Sequence, residues 1–122
     1  LGHVGRRLPS HCTSSGKVLA AFNETVYHAR VAAGFPPRLR STVRTEDDWA
    51  TVIDRVRNRR YAESHGESFD GASSVAVPVI SRGVAIASLS VFGPTEQIAP
   101  AVGQLVPLLT AASNRIAKSI GH

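Results

Sequence analysis

Two apolar, β-branched runs, Ser73 to Ile80 and Val84 to Phe92, are separated only by Ser81-Arg82-Gly83. That spacing predicts a β-hairpin with a glycine-containing loop, and it constrains the fold more than any other feature. Gly93-Pro94 ends the second strand. With a symmetric loop, Ile80 pairs with Val84, Ala76 with Ser88, and Ser74 with Ser90. Side chains alternate between the two faces of a strand. One face then carries Val75, Val77, Val79, Ala85, Ala87, Leu89 and Val91, is wholly apolar, and must pack on helices. The other carries Ser74, Ala76, Pro78, Ile86, Ser88 and Ser90, with Phe92 at its end. That second face is either solvated or the floor of a pocket. A solvated face is expected to carry charge, and this one has none. Short side chains that leave volume and hydroxyls that offer hydrogen bonds favour the pocket. A bulge at Gly83 would shift the register by one residue.

The rest of the chain reads as helices with short connections. Leu1 to Pro9 reads as a strand tail and a turn. His11 to Ser15 opens a short helix that runs to about Phe22, with Thr13, Ser14 and Ser15 as candidate caps. A second helix covers Glu24 to about Ala33 and is ended by Gly34 and Pro36-Pro37. Pro37 to Arg44 is loop. Thr45 with Asp48 nearly matches a capping box, and Trp49, Val52, Ile53 and Val56 follow at helical spacing, so Glu46 to Arg59 is an amphipathic helix. Tyr61 to Ser64 is a short edge strand, and Glu67 to Gly71 is a turn. A last helix runs from about Glu96 to Ile120, with Leu105, Leu109, Ala112, Ile116 and Ile120 along one face. Pro107 is expected to kink it or split off its first turns. Strands and helices mix without regular βαβ alternation, so the class is α+β.

Composition narrows the function. The 122 residues are 43% hydrophobic, which suits one folded domain with a modest core. No apolar run approaches the roughly 18 residues that span a bilayer, and no basic-then-apolar leader opens the chain. Neither membrane insertion nor secretion is expected, and the cytoplasm is the natural compartment. The single cysteine, Cys12, excludes an internal disulfide framework and a cysteine-based zinc cluster. The chain opens on Leu1 and contains no methionine, as expected of a fragment or a trimmed chain. The net charge of +5 comes from twelve arginines and two lysines against nine acidic residues. Its densest cluster, Arg55, Arg57, Arg59 and Arg60, follows Asp47, Asp48 and Asp54. That order complements a helix dipole. A nucleic-acid surface is the weaker reading, since Tyr61 is the only aromatic nearby.

Three motifs bear on chemistry. Gly16-Lys17 lacks the earlier glycine and the following Ser or Thr of a phosphate-binding loop. Ser14 and Lys17 match the spacing of a Ser-x-x-Lys hydrolase, but no Lys-Thr-Gly follows. The third reading is a helix N-terminus whose N–H groups bind a carboxylate, and facing the serine side of the hairpin it makes an anion pocket. Cys12 at a helix start is either a lowered-pKa thiol or a small buried residue. His11, His28 and His65 are not at ligand spacing, so no metal site is predicted, and no cofactor.

Taken in order, these pieces resemble a known family. Gly5-Arg6-Arg7-Leu8-Pro9-Ser10-His11 followed by Gly16-Lys17-Val18-Leu19-Ala20 resembles the start of the effector-binding region in the IclR family (isocitrate lyase regulators) of bacterial transcription factors. Leu39 to Thr45, then Arg60-Tyr61-Ala62 with Glu67 and Gly71, then Ser74 to Val79, Ser88 to Pro94 and Ala117 to Gly121 resemble later family segments in the same order. The resemblance implies a GAF-like α+β fold, with a curved antiparallel sheet and helices packed on one face. It implies that residues 1–122 are an effector-binding domain incomplete at its N-terminus. The winged helix-turn-helix that holds operator DNA would then lie outside this chain. It also implies a small organic or aromatic acid as effector, a homodimer or homotetramer, and no catalysis. Carried over by position, the ligand contacts fall on Ser14, Ser15, Ser64, Ser74, Ser90 and Phe92, with Leu8 and Ala72 as apolar wall. Ser64 stands where an acidic or amide side chain is common, Phe92 where a small residue lines the pocket, and Arg60 where glycine is usual. The alternatives are a GAF-like oligomerisation module without ligand, a hydrolase using Ser14 and Lys17, and direct nucleic-acid binding through Arg55 to Arg60.

Overall fold

A computed structural model describes residues 10–38, 40 and 43–121. The expected strand tail and turn at residues 1–9, with Leu8, lie outside the described residues, as does part of the loop before Thr45. The elements are α1 (Ser14–Ala21), α2 (Glu24–Ala33), α3 (Glu46–Arg59), β1 (Ala62–His65), β2 (Ala72–Ser81), β3 (Val84–Pro94), α4 (Thr95–Ile98) and α5 (Val102–Ser119), with 3-10 turns at Ser10–Cys12 and Ala99–Ala101. The class is α+β, as the sequence indicated.

Local chemistry sets the first three helices. Side-chain oxygens of Thr13, Asn23 and Thr45 accept hydrogen bonds from first-turn amides of α1, α2 and α3. At α3 the capping box is complete, because the Asp48 carboxylate accepts from the Thr45 amide in return. Acidic Glu46, Asp47 and Asp48 open α3, and Arg57 and Arg59 close it. Three of the clustered arginines are tied to the fold, although Arg57 and Arg60 remain exposed. Arg57 Nε donates to the Ala21 carbonyl at 2.9 Å, Arg59 pairs with Glu63, and Arg60 lies over the Phe22 ring. Arg60 caps α3 with φ +67°, the left-handed region glycine enters most readily.

The described sheet is antiparallel, in the order β1-β2-β3. The edge strand expected at Tyr61 to Ser64 is shifted by one residue. The hairpin differs from expectation in its turn. Ser81 pairs with Val84, so the loop is the two-residue turn Arg82-Gly83, both at positive φ. A bulge between Val79 and Ile80 then makes a second shift. Ile80 pairs with Ala85 rather than Val84, Ala76 with Ser90 rather than Ser88, and Ser74 with Phe92 rather than Ser90. The shorter turn moves Ala85 off the apolar face, and the bulge returns Ala87, Leu89 and Val91 to it. Ala85 pairs with Ile80, and its amide donates to the Phe22 carbonyl at 2.8 Å. Pro78 lies beyond the reach of β1, where β2 has no described partner on that side and a residue without N–H is tolerated.

Helices cover both faces of β2. The sequence placed them on one face only. α5 covers that face, where Val75 and Val77 pack on Leu109 with Leu89, Val91, Leu105 and Val106 around them. A second layer lies against the other face: Ala76 joins Val18, Ala20 and Ala21 of α1 and Trp49, Ile53 and Val56 of α3 in one buried cluster. The last helix is divided at Ala99–Ala101, which contains Pro100, and runs unbroken through Pro107. The buried stripe of α5 is rotated from the expected one. Leu109, Ser113 and Ala117 are buried, whereas Ile116 and Ile120 are 41% and 50% exposed.

Candidate functional site

The register of the sheet lines up small residues in rows. Ser64 on β1 stands opposite Ser74 on β2, which stands opposite Phe92 on β3. The adjacent row is Ala62, Ala76 and Ser90. Directly opposed residues share a face. Over this face lies the start of α1, whose Ser14 hydroxyl is hydrogen-bonded to that of Ser74 at 2.6 Å. Gly16 permits the close approach of Ser10 to α1, since a Cβ there would lie 2.5 Å from Ser10 Cα.

Between α1, the three strands and the connection 66–71 is a cavity of about 320 Å³. Ser14, Ser15, Ser64, Ala72, Ser74, Ser90 and Phe92 all line it. The structure thus brings together the seven described residues singled out in the sequence. Thr13, Ser68, Phe69 and Ser73 line it as well and were missed. Ser68 and Phe69 sit in a stretch that reads only as a turn, and tertiary bonds fold it over the cavity. The Ser68 hydroxyl donates to the Cys12 carbonyl at 2.9 Å, beside the Ser64 hydroxyl, which donates to the same carbonyl at 2.8 Å. Lys17, 7% exposed, pairs with Glu67 and donates to the Glu63 carbonyl at 3.2 Å.

Among the described residues the lining has no charged side chain. Its polar character comes from hydroxyls and from the opening turn of α1, the positive end of the helix dipole. Such a wall suits a carboxylate held by dipoles and hydroxyls, with an apolar body against Ala72, Phe69 and Phe92. His11, in the 3-10 turn before α1, is buried and joined through Nε2 to the Pro36 carbonyl at 2.8 Å. Burial pushes its pKa below the ordinary 6.5, outweighing the opposite pull of that hydrogen bond.

Ser14 is bonded to Ser74 while Lys17 turns to Glu67, so the Ser-x-x-Lys pair does not form. A chain of hydrogen bonds does join Glu63 to His65, His65 to Ser73, and Ser73 to Thr95, each at 2.8 Å. Ser73 is 1% exposed, and its side chain lies with that of His65 on the opposite face from Ser74. The chain therefore ties β1, β2 and α4 together, with the Ser73 hydroxyl enclosed between its two partners. Cys12 is buried. Among the described residues no group of histidine, cysteine or acidic side chains is arranged to hold a metal, and no helix is long and apolar enough to cross a membrane.

This α+β layer structure is the fold of the C-terminal domains of a group of bacterial transcriptional regulators. Residues 1–118 match the family described as bacterial transcriptional regulator IclR C-terminal, and the chain belongs to that family. It is 34% identical over 124 residues to the HTH-type transcriptional regulator KdgR of Escherichia coli strain K12, covering 98% of this chain and 47% of that protein. The chain thus spans about half the length of the curated relatives it matches. Its fold is similar to a double mutant of the inducer-binding domain of the transcription factor PobR from Acinetobacter in complex with 3-hydroxybenzoic acid (TM-score 0.82, 31% identity, 94% of this chain and 69% of that one). It is also similar to an IclR homologue from Microbacterium hydrocarbonoxydans complexed with 4-hydroxybenzoate (TM-score 0.81, 28% identity, 97% of this chain and 50% of that one). The family is one of transcriptional regulators rather than enzymes.

Proposed function

We propose that this chain is the effector-binding part of an IclR-type regulator, and that its serine-lined cavity takes a small organic or aromatic acid. The observation that carries the reading is the convergence of Ser14, Ser15, Ser64, Ser74 and Ser90 on one cavity at the start of α1. The carboxylate sits at the α1 N-terminus and takes the hydroxyls of Ser14 and Ser74, replacing their mutual hydrogen bond. That bond links the helical layer to the sheet, so exchanging it alters how the two layers are held. The bound complexes of two relatives with hydroxybenzoic acids support the ligand class. The chain catalyses nothing and works in the cytoplasm. Operator DNA is held by a winged helix-turn-helix outside residues 1–122, in a homodimer or homotetramer. An effector shifts DNA affinity only if it prefers one of two arrangements of that assembly.

A thermal-shift panel of small aliphatic and aromatic carboxylates tests the reading. A ligand at a hundred times its Kd adds about 2.7 kcal/mol to stability, visible as a raised Tm. A selective rise, lost in Ser90→Val, is the expected result. A flat panel on a cooperatively melting sample overturns it. Such a result would favour an assembly module without ligand, for which exposed Leu108 and Ile116 on α5, with Ile120 at its C-cap, offer a surface.

A further inference from the structure

We infer that Phe92 is the specificity-determining residue of the cavity and that it selects planar ring acids over saturated-ring and open-chain acids, an inference that rests on the effector reading above. The row that crosses the sheet changes character along its length. Ser64 and Ser74 on β1 and β2 are hydroxyls, and Phe92 on β3 is a phenyl ring. Neighbouring strands are about 5 Å apart. A carboxylate at Ser14 and Ser74 therefore places the next few atoms of its body against Phe92. A flat ring fits that span, with one face free for the aromatic wall.

Phe92 is set for such a contact. Its ring stands edge-to-face with Phe69, with centroids 6.0 Å apart and planes at 83°. Phe69 is fixed by the connection it sits in: its carbonyl accepts from the Ala72 amide at 3.2 Å, and the preceding carbonyl, that of Ser68, accepts from Arg38 at 3.2 Å. The wall is thus built before a ligand arrives, which lowers the ordering cost of binding. Yet Phe92 remains 41% exposed, so it retains apolar surface for a ligand to cover. From β3 the only hydroxyl in the lining is that of Ser90, which leaves a polyhydroxylated body poorly matched on that side. Aromatic pairs add binding beyond area burial equivalent to about a two- to tenfold change in affinity.

Isothermal titration of the 122-residue chain with benzoate, cyclohexanecarboxylate and gluconate tests the inference. The wild-type chain is expected to bind benzoate most tightly. In Phe92→Leu, which keeps apolar bulk and loses the π face, the benzoate-to-cyclohexanecarboxylate preference is expected to fall by about threefold or more. Phe92→Ala gives a second reading of the same ratio with the wall removed. Thermal melts of both variants verify that they fold. An unchanged ratio in both variants, with the acids still bound, overturns the role of Phe92 and leaves the effector reading standing. Tighter wild-type binding of gluconate than of benzoate overturns the role in the same way. Absence of binding by all three acids to the wild-type chain overturns the effector reading, and the inference with it.

Discussion

The two faces of β2 are made from alternate residues of one strand, yet they do different things. On the α5 side, Val75 and Val77 meet Leu109 in an apolar cluster that fills the space between sheet and helix. On the α1 side, Ala76 joins a similar cluster, but two residues earlier Ser74 opens into the cavity and bonds to Ser14. Branched side chains close one face, and short hydroxyl side chains leave room on the other. The packed face anchors the strand against α5. The open face uses that anchorage to present hydroxyls beneath a helix start.

The largest expected effect lies on the open side. Lys17→Met leaves Glu67 without its partner at a site where both side chains are nearly buried. Breaking such a pair costs about 3–5 kcal/mol, and a urea melt that moves by much less would mean the 66–71 connection is held by its other bonds. Next is the packed side. Val77→Ala removes two methyl groups from a fully enclosed position, and a loss of about 2 kcal/mol is expected, with acid binding unchanged. A binding defect in that variant would erase the functional distinction between the faces. Ser74→Ala reverses the pattern. It loses about 1 kcal/mol of stability with the Ser14 hydrogen bond, while acid binding in calorimetry falls by about tenfold.

The smallest effect is a dependence on pH. The buried His11 imidazole has a lowered pKa in the folded chain and its ordinary value of 6.5 when unfolded. The unfolded state therefore takes up a proton first as pH falls. The stability contributed by neutral His11 is full above the unfolded value, and is lost as pH falls from 6.5 through the lowered folded value. His11→Gln should flatten that part of the profile, measured by urea midpoints at several pH values. The cluster on the α5 side contains no group that titrates in this range.

How far the sequence was readable follows from the range of each signal. α2 and α3 were legible to the residue, because Asn23, Gly34, Thr45 and Asp48 act within a turn or two. The serine face was legible from alternation alone. Its pairings were not, because the turn uses Arg82 at φ +53°, a conformation that costs a non-glycine residue about 1 kcal/mol or more, and because a bulge follows. Alternation is blind to both, and Ser74 came to face Phe92 instead of Ser90. The break falls at Pro100 rather than Pro107, and local sequence does not choose between the two prolines. Ser68 and Phe69 reach the cavity through bonds to residues far away in the chain, which no local pattern encodes.

The claim that one face of the strand is built for a ligand and the other for packing is tested most directly by amide chemical shifts during a titration with benzoate. The account predicts saturable shifts at Ser14, Ser15, Ser64, Ser74 and Ser90, with Val77 and Leu109 little changed. Saturable shifts centred on Val77, Leu109 and the α5 interface, or none at any residue at millimolar benzoate, would contradict it.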